Sequence, residues 1–185
     1  MRAALCLVTS AGIALAAAAR AEPPAPAPAM LPTPYTAEQI REAWQPGFSV
    51  EMRTREAGVD SSQRMTVLSA TAEAATIRVE TLDASGAPSA PASESSAKWS
   101  ELREHALFEA SRATRERAEC RSPLGAMPGW RYETHAANGD ALAMCFADAT
   151  PGPPVEYETT RAGKSVSRTE HTRYGRLTSS GAETP

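Results

Sequence analysis

From Phe48 onward the apolar residues fall at every second position, and that period constrains the chain more than any motif does. In "FSVEMRTRE", Phe48, Val50 and Met52 alternate with Ser49, Glu51 and Arg53, as in a strand with one buried face. "QRMTVLSAT", "ATIRVETLD", "TRERAECRS", "WRYETHA", "ALAMCFAD", "VEYETTR" and "SVSRTEHTRYGRL" follow in the same style. Trp130 and Tyr132 share one side of their run, and Leu142, Met144 and Phe146 share one side of theirs. The turns "DASG" at Asp83–Gly86, "NGD" at Asn138–Asp140 and "AGK" at Ala162–Lys164 are short. Asn-Gly in particular suits a tight hairpin. "APSAPASESSA" has loop composition and reads as flexible. Roughly eight strands at hairpin spacing imply an antiparallel sheet with one covered face.

Two segments break the period. "YTAEQIREAWQPG" spells a short helix: Thr36 and Gln39 form a capping box behind Tyr35, Ile40, Ala43 and Trp44 share a face, and Pro46-Gly47 stop it. "KWSELREHALFEAS" places Trp99, Leu102, Ala106 and Leu107 along one face of a second helix. Runs of strands with segregated helices give an α+β class.

The first residues carry Arg2, an apolar run from Ala3 to Ala19, and small residues flanking Arg20. That pattern is a Sec signal peptide over residues 1–21, cleaved after Ala21, and it predicts a periplasmic or secreted protein. The run is short and alanine-rich, which argues against stable membrane insertion. A lipobox cysteine closes its apolar run, whereas Cys6 stands near the start. Residues 22–34, "EPPAPAPAMLPTP", form a Pro/Ala-rich spacer, extended and solvated. A single domain follows over residues 35–177, with a disordered tail at 178–185. Removing Arg2 and Arg20 leaves 17 Lys and Arg against 22 Asp and Glu, a net charge of −5. Such a balance argues against nucleic acid as a partner. The remaining cysteines, Cys120 and Cys145, are an even pair in an oxidising compartment and are expected to form one disulfide. Two buried thiols are the alternative.

No grouping of catalytic type emerges, and the chain is read as not an enzyme. His105, His135 and His171 are far apart in sequence, without metal-ligand spacing. "AGKS" at Ala162–Ser165 lacks the upstream glycine of a phosphate loop, having Glu158 there. Ser95 and Lys98 have Ser-x-x-Lys spacing without its supporting elements. No cofactor is implied. Arg115, Arg117 and Arg121 alternate on one strand, beyond Arg112, as a candidate anion-contact strip; a solvated or salt-bridged strand face is the more frequent explanation. Trp44, Phe48, Trp99, Phe108, Trp130 and Phe146 could line an apolar hollow or plug helices to sheet.

The order of "YTAEQIREAWQPG", "KWSELREHALF", "PLGAMPGWRYE" and "CFADATPGPPVEYETTRAGKSV" resembles a group of uncharacterised exported proteins of high-GC bacteria, over about Tyr35 to Leu177. The layout also resembles the half-barrel of periplasmic lipoprotein carriers, and the cysteine pair departs from that group. The second resemblance implies a curved antiparallel sheet, an open half-barrel, with two short helices in its hollow. On that reading the Pro-Gly-Pro-Pro corner is architectural: Pro153 and Pro154 fix φ and lack donors, setting the angle between two strands. The expected function is an exported non-enzymatic module that holds an apolar small molecule or an envelope protein. The alternatives are a small secreted hydrolase using Glu101, Glu104 or Glu109 with His105, and a structural envelope protein without ligand.

Overall fold

The structure, a computed structural model, describes residues 27–136 and 138–176. The expected signal segment, the first spacer residues, Leu177 and the expected tail lie outside the described residues. Helix α1 (Ala37–Ala43) precedes strands β1 (Phe48–Glu56), β2 (Val59–Ala70), β3 (Ala74–Leu82) and β4 (Ser93–Lys98). Helix α2 (Trp99–Glu104) then leads to β5 (Ala113–Ser122), β6 (Gly125–His135), β7 (Ala141–Ala147), β8 (Glu156–Arg161) and β9 (Lys164–Arg176).

All nine strands form one open antiparallel sheet in the order β4-β3-β2-β1-β9-β8-β7-β6-β5. The hairpins explain most of that order. Four strands meander outward from β1; α2 carries the chain to the opposite edge; five strands meander back until β9 closes on β1. The first and last strands therefore meet inside the sheet, and β4 and β5 are its edges. Both helices lie on one face. Ile40 and Trp44 from α1, and Trp99 with Ala106 from α2 and its exit, pack on Phe48, Val50, Val67, Ala75, Ile77, Tyr132, Met144 and Phe146.

The α+β class and the curved open sheet stand, but nine strands replace the expected eight. The additional one is β4, inside the stretch expected to be a flexible loop. Its register with β3 runs from Val79↔Ser93 to Ala74↔Lys98. Ser93, Glu94, Ser95 and Ser96 are all exposed, so an edge strand with no buried face carries no apolar alternation to read. Helix α2 is also shorter than its apolar spacing suggested. Beyond Glu104 the chain continues in i→i+3 turns, Ala106 N–H to Arg103 O at 3.1 Å and Leu107 N–H to Glu104 O at 3.0 Å. That exit lets Phe108 tilt against the Tyr132 ring, centroids 5.4 Å apart. Strand β6, conversely, begins at Gly125 rather than near Trp130.

Residues 27–30 of the spacer are exposed, yet its last residues are docked rather than solvated throughout. Leu31 N–H donates to Phe108 O and Ala110 N–H to Ala29 O, both at 2.8 Å. The Tyr132 hydroxyl donates to Pro32 O.

The face opposite the helices is charged. Arg78 pairs with Glu94, Arg64 with Glu80 and Glu51, Arg173 with Glu51, Arg53 with Glu170, and Arg168 with Glu156 and Glu170. Toward β7 this face becomes apolar: Cys120, Cys145, Ala147 and Val155 form a second small cluster with Ala118 and Met127. The expected disulfide joins Cys120 to Cys145 there, with Cα atoms 5.4 Å apart. It links β5 to β7 although β6 lies between them in the sheet, so the end of the β5–β6 hairpin folds over. Gly129 on β6 makes that possible. A Cβ there would stand 2.2 Å from Phe146 O and 2.8 Å from Cys120 Sγ.

Candidate functional site: an apolar cleft behind the proline corner

Where the two helices meet the sheet, an apolar cleft of about 180 Å³ remains open. Ile40 and Trp44 supply one wall, Leu102, His105 and Ala106 another, and Met65, Met144 and Phe146 the floor; Gly152, Pro153 and Pro154 close it. The amphipathic spacing of α1 puts Ile40 and Trp44 on its inner face, and the capping box of Thr36 and Gln39 fixes where that face starts. Two flexible thioethers in the floor let such a surface adapt to what fills it.

The proline corner is seated on Trp44. The indole Nε1–H donates to Pro151 O at 2.8 Å, and the Tyr174 hydroxyl donates to the same carbonyl at 3.3 Å. Gly152 has φ of 140°, a region costly for side chains. A Cβ on it would meet the Trp44 ring at 2.7 Å. Beyond Pro154, Val155 N–H donates to Cys145 O and His171 N–H donates to Val155 O, each at 2.9 Å. The corner is thus tied to α1, to β7 beside the disulfide, and to β9.

Beneath it sits His171, fully buried, with neither ring nitrogen hydrogen-bonded among the described residues. Burial lowers its pKa to about 4, so the ring is neutral at neutral pH. Its ring stacks on Tyr174 with centroids 6.3 Å apart. Burial also holds Tyr174 and Tyr35 protonated far above the usual phenol range. The Tyr35 hydroxyl donates to Ala147 O, adding a further tie beside the corner.

Of the six aromatic residues expected around a hollow, Trp44 and Phe146 line the cleft. Phe48 and Trp99 are buried in the adjoining core, while Phe108 and Trp130 pack at its margin half-buried. Trp99 donates its Nε1–H to Thr71 O at 3.1 Å, fixing the start of α2 to the β2–β3 turn. Trp130 receives guanidinium groups: Arg115 Cζ lies 3.3 Å and Arg117 Cζ 4.7 Å from its ring centroid. The arginine strip does share one face of β5, but each member has a partner within the chain. Arg115 donates to the Tyr132 hydroxyl, Arg117 makes two hydrogen bonds to Asp148, and Arg121 pairs with Glu119.

Each carboxylate considered for hydrolysis is placed by another contact. Glu101 accepts the Lys98 backbone N–H as a helix cap, Glu104 lies 3.8 Å from Arg103, and Glu109 bridges to Met30 in the backbone. His105 lies at the cleft among apolar groups. Sequence reasoning missed Ile40, Met65, Leu102 and Met144 as cleft residues. The helical spacing of Ile40 and Leu102 and the strand alternation of Met144 marked each as inward-facing, but no local pattern says which inward residues leave a gap.

No protein-family model matches the chain. No curated protein matches it by sequence. Among solved structures it is similar in fold to MucB, at 12% identity and a TM-score of 0.50, over 80% of this chain and 58% of that one. MucB in complex with MucA(peri) matches at 13% identity and a TM-score of 0.50, over 76% of this chain and 54% of that one. A Pseudomonas aeruginosa MucA/MucB complex gives 14% identity and a TM-score of 0.49, over 74% of this chain and 54% of that one. The chain spans a little over half the length of each solved structure it matches.

Proposed function

We propose that this chain is an exported, non-enzymatic module of the cell envelope that holds an apolar group in the cleft behind its proline corner. The observation that carries the reading is the cleft itself: apolar walls from α1, α2, the sheet and the corner around about 180 Å³. A dry apolar cavity of about 150 Å³ takes a ring the size of benzene, so the site suits a single apolar side chain or a small hydrophobic molecule. The volume is below the range of about 300–1,000 Å³ usual for drug-sized ligands. An anchor residue presented by an envelope protein fits that size, and one solved structure of similar fold is a complex with a partner.

The signal-like N-terminus and the disulfide support export. No helix among the described residues is long and apolar enough to cross a membrane.

The test is to express the chain with its signal, recover it from the periplasm, and compare native with denatured mass. The same preparation carries a photo-crosslinking residue in place of Leu102. An excess native mass, or a crosslinked partner, that disappears in the cleft-filling variant Ala106→Leu supports the reading. If neither is found, or if either survives in the filled variant, the cleft is not the site. The denatured mass reports at once whether cleavage follows Ala21.

A further inference from the structure

A second, more open concavity lies on the other face of the sheet, where β1 meets β9. It encloses about 660 Å³ and is lined by Arg53, Arg55 and Arg168 with Glu170, above Ala57, Gly58, Ser165 and Val166. Across most of this face Arg and Glu alternate between neighbouring strands and neutralise each other. Here two arginines meet across neighbouring strands. In register across β8, β9 and β1, one row reads Glu156, Glu170, Arg53 and the next reads Glu158, Arg168, Arg55. Arg55 and Arg168 therefore stand directly opposite each other on adjacent strands, an arrangement that costs stability unless something shared lies between them.

Their present partners are Asp60 and Glu156 beside the groove and Glu170 within it. Arg55 gives Nε and one terminal nitrogen to Asp60 on β2, at 2.8 and 3.1 Å. Arg168 reaches Glu170 along its own strand and Glu156 on β8, at 2.9 and 3.0 Å. Arg53 makes no side-chain hydrogen bond among the described residues and only approaches Glu170, at 3.5 Å. Donors thus remain on Arg53 and Arg55 along one wall of the groove, facing Arg168 on the other. Guanidinium groups arranged around a gap match the several acceptor oxygens of a tetrahedral oxyanion.

We propose that this groove binds a phosphate or sulfate group carried on a small molecule. The oxyanion takes the position between Arg53 and Arg55 on β1 and Arg168 on β9, and relieves the Arg55–Arg168 opposition. Ala57, Gly58 and Val166 give the rest of the ligand a surface to lie on. The carboxylates of Asp60, Glu156 and Glu170 already engage these guanidinium groups, so the oxyanion binds through the donors they leave free. The site is separate from the apolar cleft, and its test is independent of that reading.

The test is calorimetric titration of the mature chain with inorganic pyrophosphate, and separately with inorganic sulfate, at ionic strength held constant with sodium chloride. Saturable one-to-one binding is expected, weakened about tenfold in Arg53→Gln and again in Arg55→Gln. Both side chains are largely exposed, so circular dichroism of the variants should match the parent. Arg117→Gln, on β5 and paired with Asp148, should bind as the parent does. Preference for pyrophosphate or for sulfate names the ligand class. Absence of saturable binding to both anions, binding unchanged in Arg53→Gln, or loss of binding in Arg117→Gln would each overturn the proposal.

Discussion

The cleft has two walls built to different standards. The corner wall, from Trp44 through Pro151–Pro154 to His171, is held by two side-chain hydrogen bonds to Pro151 O and by two backbone bonds at Val155. A glycine pressed on an indole and a neighbouring disulfide add to these. The α2 wall is one helix of six residues, anchored by Trp99 at one end and by the docked spacer at the other. Between those anchors Leu102 is only half-buried and Leu107 is exposed. With rigid and yielding walls around one apolar space, an apolar group held there as proposed would be positioned by the corner and accommodated by α2. Local stability follows local contact density, so amides of α2 should exchange well before those of β7 and β9.

The largest effect should come from removing the indole on which the corner rests. Trp44→Ala deletes a buried ring, its stacking on Phe48 and the bond to Pro151, and should cost about 4 kcal/mol in urea unfolding. Leu102→Ala, on the yielding wall, should cost less than half as much because the side chain is only half-buried. Equal losses would mean that the two walls do not differ.

Next in size is the acid response of the corner. The folded chain keeps His171 neutral down to about pH 4, whereas an unfolded histidine protonates near 6.5. Between those values the unfolded state binds one more proton, so stability falls as pH drops through the window. The loss should reach about 3 kcal/mol by pH 4. Carboxylates held low by partners, such as Asp60 beside Arg55 and Asp140 beside Arg161, lose their contribution only as pH falls below the ordinary carboxylate range. The difference in pH slope between the parent and His171→Leu therefore isolates the histidine. A variant with the parental slope would remove His171 from the account.

Gly152→Ala should follow, at about 2 kcal/mol. It adds a side chain where φ is 140° and the indole is already in contact, combining backbone strain with overpacking. Trp44 fluorescence should shift in this variant, and an unshifted spectrum with unchanged stability would mean that the corner does not bear on the ring.

These contrasts also mark what could be read from the chain. Alternation located every strand with a buried face, and Thr36 with Gln39 announced α1 because a capping box is written in consecutive residues. The even cysteine count announced the disulfide, but not that it spans a strand: that depends on Gly129, whose missing Cβ has no meaning until Phe146 and Cys120 are placed beside it. Strand β4 was illegible because Ser93, Glu94, Ser95 and Ser96 are all exposed, which leaves no apolar alternation to read. Helix α2 was overextended because its apolar spacing continues past Glu104, while tertiary contacts of Phe108 and Leu31 end it. The proline corner does stand between two strands, β7 and β8, where it was read. That Gly152 rests on Trp44 joins residues far apart in sequence, and no local pattern reports such a contact.

The smallest effect concerns how the two helices begin. In α1 both halves of the capping box are made: Gln39 N–H donates to Thr36 Oγ1 at 3.2 Å, and Thr36 N–H donates to Gln39 Oε1 at 2.8 Å. In α2 only the returning half is present, Lys98 N–H to Glu101 Oε2 at 2.9 Å, because lysine offers no acceptor to the first turn. Thr36→Ala should therefore cost about 1 kcal/mol. Glu101→Ala, on an exposed cap, should cost about half that. Lys98→Ser, which would supply the missing acceptor, should stabilise α2 by a few tenths of a kcal/mol and slow its amide exchange. If α2 is the accommodating wall, the same change should weaken capture of the apolar group by stiffening the side that has to move. Stronger capture from a better-capped α2 would reverse the assignment of rigid and yielding walls.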